Sequence, residues 1–81
     1  MQVTKTKERI AVIMVFGKDK SQPFSFQWGT KRYVVEKVNL VFQKQSANGL
    51  MISYSVTAQD AYFKLTFETT EMKWWLEEVV N

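Results

Sequence analysis

Hydrophobic and polar positions alternate with a period of two along most of this chain, and the phase of the alternation assigns faces. Leu50, Ile52, Tyr54 and Val56 alternate with Met51, Ser53, Ser55 and Thr57, and Phe63, Leu65 and Phe67 alternate with Tyr62, Lys64, Thr66 and Glu68. Such runs read as half-buried β-strands. A turn at Gln59-Asp60 pairs Val56 with Phe63, Tyr54 with Leu65 and Ile52 with Phe67, so every core residue meets a core residue.

The stretch PFSFQWGTKRYVV, residues 23–35, reads as a second hairpin. Phe24, Phe26 and Trp28 share one face, and Ser25 and Gln27 take the other. A two-residue turn at Gly29-Thr30, with Gly29 supplying positive φ, sets Phe26 opposite Tyr33 and Phe24 opposite Val35. A longer loop over residues 29–32 keeps the same faces together in a shifted register. Downstream the phase changes: Tyr33 and Val35 are odd-numbered, whereas Val38, Leu40 and Phe42 are even. A bulge or sharp bend near Glu36-Lys37 is expected to bring all of them to one face.

Residues 8–16, ERIAVIMVF, are apolar at both phases from Ile10 to Phe16. That pattern suits a strand covered on both sides, or one whose second face meets another subunit. Polar loops at residues 17–22 and 43–49 separate the runs, the latter carrying the turn signal Asn48-Gly49. Residues 1–7, MQVTKTK, read as a basic flexible tail, leaving 8–81 as a single small β domain. The last segment, EMKWWLEEVV, is open to two readings. As a short helix it has Thr70 as N-cap and a stripe of Met72, Trp75, Leu76, Val79 and Val80. As a strand it pairs Phe67 with Trp74 and Leu65 with Leu76, and sets Glu68 against Lys73 and Lys64 against Glu77; two opposite-charge cross-strand pairs favour the strand. The expected fold is therefore all-β: a six-stranded antiparallel meander, forming a strongly twisted sheet or a small, partly open barrel.

Composition sharpens this picture. Six Phe, three Tyr and three Trp in 81 residues supply the dense core that so short a chain needs. There is no cysteine, so no disulfide contributes, which suits a reducing cytoplasm. No run approaches the ~20 apolar residues of a membrane-spanning helix, and no membrane partner is expected. Net charge is +3 but uneven: nine Lys/Arg face three acids up to Gln45, and two lysines face five acids beyond it. Such asymmetry marks either an anionic partner for the first half or ordinary solvated surface.

The chemistry of catalysis is thin. Without His or Cys, the commonest general base, nucleophile and soft metal ligand are missing. The three glycines lie far apart, so no phosphate-cradling loop forms. The chain reads as non-catalytic, with no cofactor and no metal. Candidate binding residues are the cations Lys5, Lys7, Arg9, Lys31 and Arg32, with Tyr62 and Trp75 as aromatics on an outer face shared with Thr57, Thr66 and Val79. Basic grooves with aromatic platforms hold single-stranded nucleic acid. The same surface suits a peptide or a second copy of the chain.

The residues Phe26, Trp28, Tyr33, Val35, Tyr54, Val56, Phe63, Leu65, Phe67, Trp74, Leu76 and Val79 follow a pattern F-x-W-x(4)-Y-x-V, then Y-x-V, aromatic-x-L-x-F and W-x-L-x-x-V. This resembles a family of short uncharacterised bacterial proteins and the C-terminal segment of bacterial polymerase-like proteins of error-prone DNA repair. The likeness spans residues 23–79. It departs where Gly29 directly follows Trp28 and in the added strand at residues 10–16. The resemblance implies a small β fold and a DNA-repair association, and carries no catalytic or binding residue across. Two functions are thus expected: a small nucleic-acid-associated binding module, or a protein-interaction or homodimerising module using the strand at residues 10–16 and the Trp75 surface.

Overall fold

Where the pattern alternates, strands form. The computed structural model describes residues 1–81 and contains seven β-strands and no helix: β1 (Val3–Phe16), β2 (Ser21–Trp28), β3 (Lys31–Val34), β4 (Lys37–Ser46), β5 (Gly49–Ala58), β6 (Ala61–Glu68) and β7 (Lys73–Val80). All pairings are antiparallel, and they join into one sheet in the order β3-β2-β1-β7-β6-β5-β4.

Both central hairpins take the expected registers. Val56 faces Phe63, Tyr54 faces Leu65 and Ile52 faces Phe67, about a turn in which Gln59 and Asp60 both adopt positive φ. Two positive φ values suit a two-residue hairpin because they match the strands' right-handed twist. Phe26 faces Tyr33, Trp28 flanks the turn opposite Lys31, and Gly29 takes φ 64°. The C-terminal segment is strand β7, not a helix: Phe67 pairs with Trp74, Leu65 with Leu76 and Glu68 with Lys73.

Five expectations are corrected. The strand count is seven rather than six, because the chain breaks at Val35-Glu36. The amide of Val35 still bonds to Phe24 of β2, while the amide of Glu36 already bonds to Thr57 of β5. Successive strands β3 and β4 thereby become opposite edges of the sheet, with no ladder between them, and the barrel stays open. Residues 1–7 are not a free tail. β1 begins at Val3 and runs 14 residues, pairing Val3 with Val80 and Thr4 with Val79.

Bulges account for the other three corrections, since each shifts the inward phase of the residues around it. In β4 the register slips at Asn39, so Leu40 and Phe42 face outward opposite Ser55 and Ser53 and are exposed. In β7 the slip falls at Glu77, so Val79 turns inward onto Phe63 and Val80 takes the outer position opposite Tyr62. A third slip, between Ile13 and Met14, leaves Phe24 without a β1 partner; it is 52% exposed, while its neighbour Pro23 is buried.

The core is built from Ile10, Phe26, Tyr54, Val56, Ala58, Ala61, Phe63, Leu65, Leu76 and Val79. Phe26 lies 5.0 Å from both Tyr33 and Phe63, ring centre to ring centre, and Trp28 lies 6.4 Å from Phe63. Two strands, β1 and β7, separate β2 from β6 in the sheet, so these contacts require the sheet to curl over on itself. The aromatics of residues 24–35 that point inward are the filling of that curl. The Trp28 indole N–H also donates to Glu8 at 2.9 Å, giving the one inward-facing acid of β1 a partner.

Candidate functional site

β1 decides which surfaces exist, because it serves two neighbours in succession. Residues 3–10 pair with β7, and residues 11–16 pair with β2. Its outward residues are Val3, Lys5, Arg9, Ala11, Ile13 and Val15, with Thr6 and Lys7 in a bulge opposite Glu77. The N-terminal half of the outer face is therefore basic and the C-terminal half apolar.

Four of the seven candidate residues meet at the basic end. Trp75 pairs with Arg9 across β1–β7, and both the Lys7 ammonium and the Arg9 guanidinium lie 5.4 Å from a Trp75 ring centre. Lys5 follows on the same strand, opposite Glu78. Trp75 is consequently half-buried under cations rather than open as a stacking platform. The acids of the second half lie alongside. The hydrogen bond and charge of Lys73, 2.6 Å away, hold the Glu71 carboxyl below its ordinary range, with Arg9 adding a smaller pull. The uneven charge along the sequence is partly met in space, Lys5 lying opposite Glu78 and Arg9 acting weakly on Glu71, while Lys7 and Arg9 lie over Trp75.

The other three candidates stand apart. Tyr62 is exposed on β6 opposite Val80, two cross-strand rows from the Thr66–Trp75 pair, roughly 13 Å along the strand. Between them lies a polar network on the outer face. Ser53 and Thr66 share a hydrogen bond of 2.8 Å, Thr66 also donates to Glu77, Lys64 pairs with Glu77 at 3.8 Å, and its ammonium lies 5.2 Å from the Phe42 ring centre. Tyr62 and Trp75 therefore do not form one platform. Lys31 sits at the hairpin tip, 5.1 Å from the Tyr33 ring centre, and Arg32 donates to Ser25 at 3.1 Å.

No protein family, curated protein or solved structure matches this chain. Function is therefore read from surfaces. No group of three or more His, Cys, Asp or Glu is placed to hold a metal ion, and no helix is long and apolar enough to cross a membrane.

Two features escaped the sequence reading. The first is an outward apolar row crossing three strands: Ile13 pairs with Ser25, and Ser25 with Val34. Ile13 and Val34 are each about half exposed, at 50% and 51%, as are Val15 and Phe24 nearby. The two-faced apolar run at residues 10–16 was its signal, and the missing half was the outward placement of Val34. The second is an inward cleft of about 570 Å³ where β1 leaves β7, lined by eight hydrophobic residues and Ser21. Nothing in the sequence marks it, because its walls come from five strands and a turn.

Proposed function

We propose that this chain is a small non-catalytic protein-interaction module that pairs with a second copy of itself through the outer face of β1, β2 and β3. The observation that carries this reading is the half-exposed group Ile13, Val15 and Val34 on one side of β1 and β3, flanking Ser25 of β2. A small protein with this much apolar surface in one place ordinarily covers it with a partner. The centre of the row is Ser25, 1% exposed, whose hydroxyl accepts a hydrogen bond of 3.1 Å from the Arg32 guanidinium. A two-fold contact repeats the same patch on both subunits, so Ile13, Val15 and Val34 of one copy meet the same apolar side chains of the other.

Sedimentation velocity tests this directly. The chain is expected to sediment as a dimer and to become monomeric on the double change Ile13→Lys/Val34→Lys, with thermal unfolding little altered because both positions are already open. A wild-type chain that stays monomeric at its highest soluble concentration would refute the reading.

The convergence of Lys5, Lys7, Arg9 and Trp75 supports a second reading, a nucleic-acid-associated module in keeping with the DNA-repair resemblance. Three phosphates neutralised by the β1 cations give single-strand binding with a log K against log salt slope of about −2. The double change Lys7→Glu/Arg9→Glu is expected to weaken that binding and to leave dimerisation through Ile13 and Val34 intact. Absence of any complex with single-stranded DNA at low salt excludes this reading.

A further inference from the structure

The cleft where β1 parts from β7 combines two unfilled requirements. The β1–β7 ladder ends at the Ile10–Trp74 pair, whereas β1 continues to Phe16. Along residues 11–16 the β2 side is paired and the β7 side is not. Unpaired strand edges present N–H and C=O groups ready to bond another strand. Beside this edge lies the cleft, with Val12, Met14 and Phe16 on one wall and Ile52, Tyr54 and Trp74 on the other. Its volume, about 570 Å³, falls within the range of small-ligand pockets, and none of its lining residues is charged.

Tyr54 adds a polar mark. Its side chain is among the core residues at 7% exposure, yet its hydroxyl takes part in none of the chain's side-chain hydrogen bonds. Nor is that hydroxyl sealed from solvent without a partner. Buried tyrosines usually spend the O–H on a bond. Here it is left available in the one large apolar space of the molecule.

We propose that this cleft is a groove for an extended apolar peptide of a partner protein, which adds as a short strand to the open β7-side edge of residues 11–16. An acyl chain or small aromatic molecule would fill the cavity and leave the strand edge to water. An extended peptide meets both requirements, since its backbone completes the ladder while alternate side chains enter the cleft. The open edge is six residues long, about 20 Å of strand. The side chains it admits are uncharged and apolar at every second position, with one acceptor within reach of the Tyr54 hydroxyl. This groove lies on the inner face of β1 and is independent of the outer face through which we propose self-pairing.

The test is selection from a random twelve-residue peptide library displayed on phage against the whole chain, followed by titration of a synthetic copy of an enriched peptide. Enriched sequences are expected to carry apolar residues at alternate positions. Phe16→Lys, at a position 78% exposed, is expected to weaken binding at least about tenfold, the effect of replacing an apolar anchor by a charge. Ile13→Lys, on the opposite face, is expected to leave it within about twofold. Amide exchange over residues 11–16 is expected to slow when the peptide binds. The proposal is overturned if no peptide is enriched, if binding survives Phe16→Lys unchanged, or if exchange over 11–16 is unaltered by a bound peptide. Loss of self-association in Phe16→Lys but not in Ile13→Lys/Val34→Lys would assign the groove to a second copy and overturn it as well.

Discussion

Phe26→Ala is expected to lower the stability of this protein by about 3–5 kcal/mol, the usual cost of emptying a buried phenylalanine site. Phe26 is fully buried, lies nearly parallel to Tyr33 with an interplanar angle of 10°, and meets Phe63 edge-on at 65°. Its ring touches both layers of the curled sheet, so neither can collapse into the gap without losing contacts elsewhere. At ~0.05–0.15 kcal/mol per residue, a chain of 81 residues holds about 4–12 kcal/mol in total. The loss is thus from about a quarter to all of the total stability, and Tm should fall by roughly 12–40 °C. Phe24→Ala is the control. It lies in the same strand and in the same alternation phase, but the slip in the β1–β2 ladder leaves it 52% exposed. Its cost should be about 0.5 kcal/mol. Equal losses in the two variants, read by denaturant titration, would mean that the bulge in the β1–β2 ladder is misplaced.

Gly49→Ala is the second large effect, and it comes from two sources. Gly49 adopts φ 115°, where a side chain is strained, and a Cβ there would land on the Thr70 hydroxyl. The backbone penalty alone is of order 1–3 kcal/mol. Displacing Thr70 adds about 0.5–1.5 kcal/mol, because its hydroxyl donates to the Asn48 carbonyl and ties the β6–β7 turn to the β4–β5 hairpin. Thr69 makes the neighbouring tie, donating from its hydroxyl to Leu50 at 2.7 Å. A double-mutant cycle separates the two sources. In the Gly49→Ala background, Thr70→Ala should cost nothing or restore stability, whereas alone it should destabilise. Strictly additive costs would show that the two residues do not touch.

A pH dependence of modest size accompanies these. The Glu71 carboxyl is held low by Lys73, so whatever stability that pair contributes is present above the ordinary carboxylate range and is lost as pH falls through the lowered value. Its full exposure to solvent keeps the contribution small.

Much of the candidate site was legible residue by residue and illegible as a site. Lys5, Lys7, Arg9 and Trp75 could each be named from the sequence as exposed cations and an outer-face aromatic. That they meet depends on β1 lying beside β7, two segments more than sixty residues apart. The same pairing explains the charge asymmetry. A basic first half and an acidic second half look like a signal for an anionic partner until the ladder sets Lys5 against Glu78 and brings Arg9 near Glu71. The proposed self-pairing face was half visible, since residues 10–16 are apolar at both phases, and Val34 completes it only because Tyr33 is committed inward to Phe26.

By itself the sequence determined the local hairpins. The β5–β6, β2–β3 and β6–β7 registers over the core follow from alternation read across a short turn, because side chains repeat every two residues and neighbouring strands must match phase. Tertiary structure alone decided three things: the insertion of β1 between β2 and β7, the parting of β3 and β4 to opposite edges, and the bulges at Phe24, Asn39 and Glu77. The reason is physical. Pairing between distant segments is selected by how the whole sheet curls to bury Phe26, Phe63 and Leu65, and no short window of residues encodes that. A bulge next to apolar residues is equally silent in sequence, for Leu40 and Phe42 are as hydrophobic facing outward as they would be facing in.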